Sequence, residues 1–121
     1  PFLLHAKLGA YVAKAKYGVT DQEILSSITW HTTGKPDMTL LEKIVYIADY
    51  IEPKRDKAPN LAFVRKLAFQ DLDECMYEIL KDSLAYLEEN PKDVDTTTKE
   101  AFLYYKDLHI KRASQTEKEI N

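Results

Sequence analysis

Three times in this sequence a threonine is followed three positions later by a glutamate at the start of an apolar run: Thr20 with Glu23, Thr39 with Glu42, and Thr97 with Glu100. Each pair reads as a capping box, in which the threonine hydroxyl accepts from a first-turn amide and the glutamate reaches back to the threonine N–H. Three such starts in 121 residues with only three glycines leave little room for strands. Apolar residues follow each start with period 3.6 rather than 2. The chain is therefore expected to be all-α, a single domain over residues 1–121 with about five helices.

Residues 2–17 predict a first helix with Leu4, Leu8, Tyr11 and Val12 on one face, stopped at Gly18. The Thr20 box opens a second helix through Ile24, Leu25 and Ile28, which gives way to the turn Thr32-Thr33-Gly34-Lys35-Pro36. The Thr39 box opens a third, whose Leu41, Ile44, Val45, Ala48 and Ile51 predict the buried stripe and which Pro53 stops. A polar break, Lys54 to Pro59, leads to Asn60, expected to cap a long helical region reaching about Glu89 with a bend near Asp71. Asn90-Pro91 ends it. The Thr97 box opens a last helix through Phe102, Tyr105 and Leu108, and the tail after Arg112 is expected to fray.

A net charge of −3 with pI near 5.6 argues against a nucleic-acid backbone as the main partner. No apolar run approaches the roughly 20 residues that span a bilayer, so no membrane association is expected. The single cysteine, Cys75, excludes an internal disulfide and suits a reducing cytoplasm. It sits mid-helix among apolar neighbours, where a structural thiol is expected, and no GxSxG motif offers a serine nucleophile.

What remains is a set of imidazoles and carboxylates. Asp49 follows Val45 by four positions and Leu41 by eight, which puts a carboxylate on the predicted stripe. A buried carboxylate is costly unless a metal, a cation or several donors meet it. His5 lies at the edge of the first helix's apolar face, and His31 follows Ile24 and Ile28 at inward spacing. Imidazole nitrogen and carboxylate oxygen suit iron, manganese or zinc, and successive helices can gather such ligands in a bundle core. The Thr32–Lys35 turn would suit a phosphate, or simply end its helix. Arg55 would fork onto phosphate oxygens or be solvated. Thr96 to Thr98 offer a helix N-terminus to an anion, or serve only as caps. His109, near the expected end of the last helix, reads as a cation complementing the helix dipole.

The strings LLHAKLGA and WHTTGKPDMTLLEKIVYIADYIEPKR, carrying His5, His31 and Asp49, closely resemble the YqeK family of bacterial HD-domain phosphohydrolases. The match is tight from Leu3 to Arg55 and looser beyond. The resemblance implies an HD-domain-like helical bundle, bound iron (Fe3+, with Mn, Co or Zn as alternatives) and symmetrical cleavage of diadenosine tetraphosphate to two ADP. It makes Asp49 the closing metal ligand. His5 and His31 match two histidines that bind a second metal or contact the substrate phosphates, and both readings stay open. Arg55 falls near the expected nucleotide phosphates, and Asp95, Thr96 and Thr97 fall where the family touches the nucleotide. There the sequence departs from the commoner His-Pro-Asp-Thr wording, reading Asp95-Thr96-Thr97-Thr98.

No His-Asp dipeptide occurs in the chain, whose histidines precede Ala6, Thr32 and Ile110. The sequence begins at Pro1 inside an apolar stretch, so it is expected to be the C-terminal portion of an HD domain, with the missing ligands in helices before Pro1. The implied partner is a dinucleoside polyphosphate or an ADP-like nucleotide, with a homodimer left open. Two other classes stand beside the hydrolase: a nucleotide-binding regulatory HD module without turnover, and a helical interaction domain whose polar cluster is structural.

Overall fold

The computed structural model describes residues 4–52, 60–87 and 95–120, apart from the side chains of Leu4, His5 and residues 117–120. Six helices form among the described residues: α1 Leu4–Tyr17, α2 Gln22–Trp30, α3 Leu40–Tyr50, α4 Leu61–Ala68, α5 Leu72–Leu87 and α6 Thr96–Ile120. The expected all-α architecture holds, with one helix more than the spacing suggested. Pro53, the Lys54–Pro59 break and Asn90-Pro91 lie outside the described residues.

The extra helix arises where a bend was expected. After α4, the amides of Phe69 and Gln70 bond back to Lys66 O and Leu67 O at 3.2 and 2.9 Å, tightening the last turn until it closes. Asp71 then starts α5 afresh: its Oδ1 accepts from the Glu74 amide at 3.2 Å and its carbonyl from the Cys75 amide at 3.0 Å. Arg112 Nη1 reaches both Asp71 oxygens at 3.0 Å. Burial alone would raise the Asp71 carboxyl pKa, but the Arg112 and Glu74 bonds outweigh it and hold the group below its ordinary value.

Helix starts follow carboxylates more than the spacing implied. The Thr39 box is complete, with Glu42 N donating to Thr39 Oγ1 at 3.2 Å and Thr39 N to Glu42 Oε1 at 2.9 Å. The other two boxes yield to neighbouring aspartates. Asp21 Oδ1 accepts from Glu23 N and Ile24 N at 2.9 and 3.1 Å, and Asp95 Oδ1 accepts from Thr97 N at 2.8 Å. An aspartate adds a negative charge to the same capping geometry, which the positive end of the helix dipole favours. Asn60 occupies the cap position of α4, with no side-chain capping bond. Gly18 stops α1 in the left-handed region, at φ 70°.

The core is built from Tyr46 and Ile47 of α3, Val64 of α4, Met76, Ile79 and Leu80 of α5, and Ala101 and Tyr105 of α6. The main packing runs α1 on α2, α2 on α3 and α3 on α5, with α5 also against α4 and α6. Cys75 is fully buried in this core, and burial pushes its thiol up to about 12, an inert structural group as expected. Helix α6 continues through the tail after Arg112 to Ile120, with Arg112 tied to α5.

Helix α3 is rolled by nearly half a turn from its expected setting. Its buried residues are Glu42, Tyr46 and Ile47, whereas Ile44 is 45% exposed and Ala48 and Asp49 are also exposed. Tyr46 and Ile47 offer more apolar area than Ile44 and Ala48, and Glu42 is drawn inward by its own hydrogen bonds. On α1 the expected face is likewise turned out: Ala6 is buried, while Leu8 and Tyr11 are exposed.

Candidate functional site

Helix α2 ends at His31, its C-terminal cap, and the chain then turns through Thr32, Thr33 and Gly34. Gly34 adopts φ +72°, which an L side chain resists, and its amide donates to Trp30 O at 2.9 Å. A Cβ there would meet Tyr46, Ala101 and Leu80 at 3.5–3.7 Å, so this glycine lies against the core. Lys35 sits 3.5 Å from Glu42. The turn therefore ends its helix and packs inward. Its glycine amide is spent on its own helix and its lysine lies near Glu42, which accords with the helix-ending reading of the turn.

Helix α6 fastens this turn from 65 residues away. The buried Thr98 hydroxyl donates to Thr33 O at 3.0 Å, and the Tyr105 hydroxyl accepts from Met38 N at 3.0 Å. Burial pushes the Tyr105 phenol up, the Met38 bond only partly offsetting it. Tyr104 OH reaches Asp37 Oδ1 at 3.1 Å, and Asp37 holds φ 51°. On the other side, Glu42 is 1% exposed and accepts from Ser26 Oγ on α2 as well as from Thr39 N. Burial would raise its pKa, and the Ser26, Thr39 and Lys35 interactions together bring it below the ordinary 4.5.

These bonds shape a cleft of about 210 Å³. Its walls are Thr29, Trp30, Thr32 and Thr33 from α2 and its turn, Asp95 and Thr97 from the start of α6, and Lys7 from α1. The Thr32 hydroxyl is buried with no hydrogen-bond partner among the described residues. An orphaned buried hydroxyl is uncommon and calls for a physical account.

Of the residues singled out from sequence, Asp95 and Thr97 line this cleft, and Thr96, the first residue of α6, is exposed beside them. His31 lies between two lining residues. It is half-buried, with Nδ1 2.6 Å from Ile28 O. A carbonyl only accepts, so Nδ1 is the donor in this contact. Asp49 is in the last turn of α3 and exposed, a correction to its expected place on the buried stripe. His5 is within α1, its side chain outside the described residues, and Arg55 lies outside them altogether. His109 is not at a helix end. It sits mid-α6, with Nδ1 3.0 and 2.8 Å from the two Glu74 oxygens and its ring stacked on Tyr77. Among the described residues no three His, Cys, Asp or Glu side chains gather to hold a metal ion. His31 and Asp49 are suitable donor types for iron, but the described residues alone do not build a metal centre.

Sequence reasoning missed Lys7 and Trp30 at this site, and the burial of Glu42. Trp30 stands next to the HTTG string, which itself holds Thr32 and Thr33, but their approach to Asp95 is a long-range contact with no local signal.

Comparison with known proteins agrees with this architecture. Residues 1–54 match the HD domain family. The chain is 47% identical over 87 residues to a symmetrical bis(5'-nucleosyl)-tetraphosphatase of Bacillus subtilis (strain 168), covering 72% of this chain and 46% of that protein. It is 37% identical over 105 residues to the protein of the same name from Staphylococcus aureus (strain NCTC 8325 / PS 47), covering 85% and 54%. A crystal structure described as a predicted HD superfamily hydrolase involved in NAD metabolism, from Clostridium acetobutylicum, superposes with a TM-score of 0.80 at 36% identity, covering 85% of this chain and 54% of that one. The chain thus spans about half the length of the relatives it matches. No described helix is long and apolar enough to cross a membrane. The HD match falls on the stretch that holds His31 and Asp49, and the similar tetraphosphatases align over 72% and 85% of this chain, so the comparisons agree with the resemblance to HD-domain phosphohydrolases of the YqeK family.

Proposed function

We propose that this chain forms part of a cytoplasmic, metal-dependent phosphohydrolase that cleaves diadenosine tetraphosphate symmetrically to two ADP. The observation that carries the reading is the cleft beside His31, where the turn after α2 meets the start of α6. The names of the similar tetraphosphatases supply the substrate class.

Asp49 is assigned as one metal ligand, exposed in the last turn of α3. The remaining ligands come from the part of the relatives' length that this chain does not span, as the C-terminal portion of an HD domain requires. Ferric iron is the assigned metal, with Mn, Co or Zn as substitutes, and when bound it supplies Lewis-acid activation of the attacking oxygen.

The chain's own groups orient substrate and move charge. With Nδ1 held by Ile28 O, the His31 ring has a fixed orientation, from which it is assigned to act on a phosphoryl oxygen. His5, His31 and Arg55 offset the negative charge that develops during phosphoanhydride cleavage, each contributing roughly 2–4 kcal/mol if it acts as a single oxyanion donor does. Asp95, Thr96 and Thr97 contact the nucleotide.

The test is Asp49→Ala in the natural polypeptide. Because the side chain is exposed, folding should be unchanged while metal-dependent turnover is lost. Near-normal turnover would refute the assignment. Tight ADP binding with no turnover in Mn, Fe, Co or Zn would instead identify a nucleotide-binding regulatory module.

A further inference from the structure

The last turn of α3 carries Asp49 beyond the part of the helix that burial secures. The buried side chains of this helix are Glu42, Tyr46 and Ile47. After them Ala48 and Asp49 are exposed, and Tyr50 and Ile51 pack against the core only in part. The Ile51 amide closes the helix on Ile47 O at 2.9 Å. The carbonyls at a helix end have no amide of their own helix to accept from, and such ends fray unless another group meets them.

Arg65 meets them. It lies in the last turn of α4, where its Nε donates to Ile51 O at 3.2 Å and its Nη2 to Glu52 O at 3.0 Å. The guanidinium thus spans two successive carbonyls as a planar fork, which the single-point ammonium of a lysine does not reproduce. Its charge also faces the negative end of the α3 dipole. The fork stands on a fixed base, because neighbouring Val64 is fully buried and its carbonyl accepts from Cys75 Sγ of α5 at 3.5 Å. At the other end of α3, Lys43 Nζ lies 2.9 Å from Asp73 Oδ1 of α5. The helix is therefore tied at both ends to the same α4–α5 support.

We propose that Arg65 is a positioning residue: by clamping the Ile51 and Glu52 carbonyls it fixes the last turn of α3, and with it the place of the Asp49 carboxylate in the metal site. The proposal rests on the assignment of Asp49 as a metal ligand above. In this role Arg65 acts through the backbone of α3 and not on the carboxylate. A ligand has to be held within about 0.5 Å of its working place, and an exposed side chain on a fraying turn is not.

Two measurements on the natural polypeptide test the clamp: titration with Mn2+, read by the spin resonance of the free ion, and hydrogen exchange along α3. Asp49→Ala should all but abolish Mn2+ binding. Arg65→Met keeps an unbranched stem and gives up both bonds. It should weaken Mn2+ binding about tenfold, the low end of the range for groups outside the ligand shell, since it works through the backbone. Exchange should quicken at the amides of Tyr50 and Ile51 and stay unchanged at Tyr46 and Ile47. Arg65→Lys, with the charge and without the fork, should recover part of both effects. Arg112→Ala removes another half-buried arginine, from the α5–α6 contact, and should leave Mn2+ affinity and α3 exchange as they are. Mn2+ affinity within about twofold of wild type in Arg65→Met would overturn the clamp while the hydrolase reading stands on Asp49→Ala. An equal loss in Arg112→Ala would overturn it too, because general destabilisation would then explain both. Mn2+ binding undiminished by Asp49→Ala would overturn the ligand assignment and the positioning role together. The expected losses, in a protein that cleaves no dinucleotide, would keep the clamp and overturn the hydrolase. Should Arg65→Met fail to fold, Arg65→Lys decides: weaker Mn2+ binding than wild type keeps the clamp, and equal binding overturns it.

Discussion

Glu42 is the residue whose removal should tell most about how the site is held. Its carboxylate is 1% exposed, accepts from Ser26 Oγ and from Thr39 N at 2.9 Å, and lies 3.5 Å from Lys35 Nζ. It thereby joins α2, the start of α3 and the turn between them. Glu42→Gln keeps the volume and removes the charge. Charge-assisted hydrogen bonds are roughly twice as strong as neutral ones, so the two bonds and the half-exposed lysine pair together should lose about 2 kcal/mol. Glu42→Ala removes the acceptors outright and should cost about 4 kcal/mol, as breaking a buried charged network does. At about 4 °C per kcal/mol for a chain of this size, melting should fall by about 8 and 16 °C.

The same residue predicts a pH dependence. Its native pKa lies below the ordinary 4.5, so the unfolded chain binds the proton more tightly than the folded one. The stabilisation is complete above pH 4.5 and is lost as pH falls through the lower native value. Urea unfolding from pH 7 to pH 3 would show the wild-type advantage over Glu42→Gln shrinking in the acid range. A Gln variant within about 0.5 kcal/mol of wild type at pH 7, or a difference independent of pH, would refute the reasoning.

Tyr105→Phe deletes the acceptor for the buried Met38 amide and should cost about 1–3 kcal/mol in urea unfolding, with faster hydrogen exchange at Met38. Gly34→Ala should cost about 1–2 kcal/mol from the positive φ alone, because its Cβ would meet only ordinary contacts at 3.5 Å and beyond; a cost above about 4 kcal/mol would mean steric rejection by the core. Arg112→Ala loses ion pairs to Asp71 and Asp73 that are part exposed to solvent, so its cost should stay near 1 kcal/mol and fade in high salt.

Helical class, the Thr39 start and the stop at Gly18 were legible in the sequence. Each depends on atoms within one turn of the residue concerned, as with Thr39 and Glu42 three positions apart. The split between α4 and α5 was half legible: Asp71 marked the bend, but its choice as a cap is reinforced by Arg112, 41 residues on. The roll of α3 was not. Periodicity puts residues on a common face, but a stripe of Leu41, Val45 and Asp49 and one of Glu42, Tyr46 and Ile47 fit the same period.

The sequence by itself thus determined the helical class, what types of ligand the helices carry and, through the HTTG and YIADYIEP strings, the family they resemble. Only the tertiary structure decided which carboxylate is buried, turning Glu42 in and Asp49 out, and which residues meet across the cleft. Helix initiation is settled by hydrogen bonds three or four residues apart. Helix rotation is settled by the summed burial of distant partners, and the Thr98 bond to Thr33, closing a loop of 65 residues, exists only once the bundle has packed.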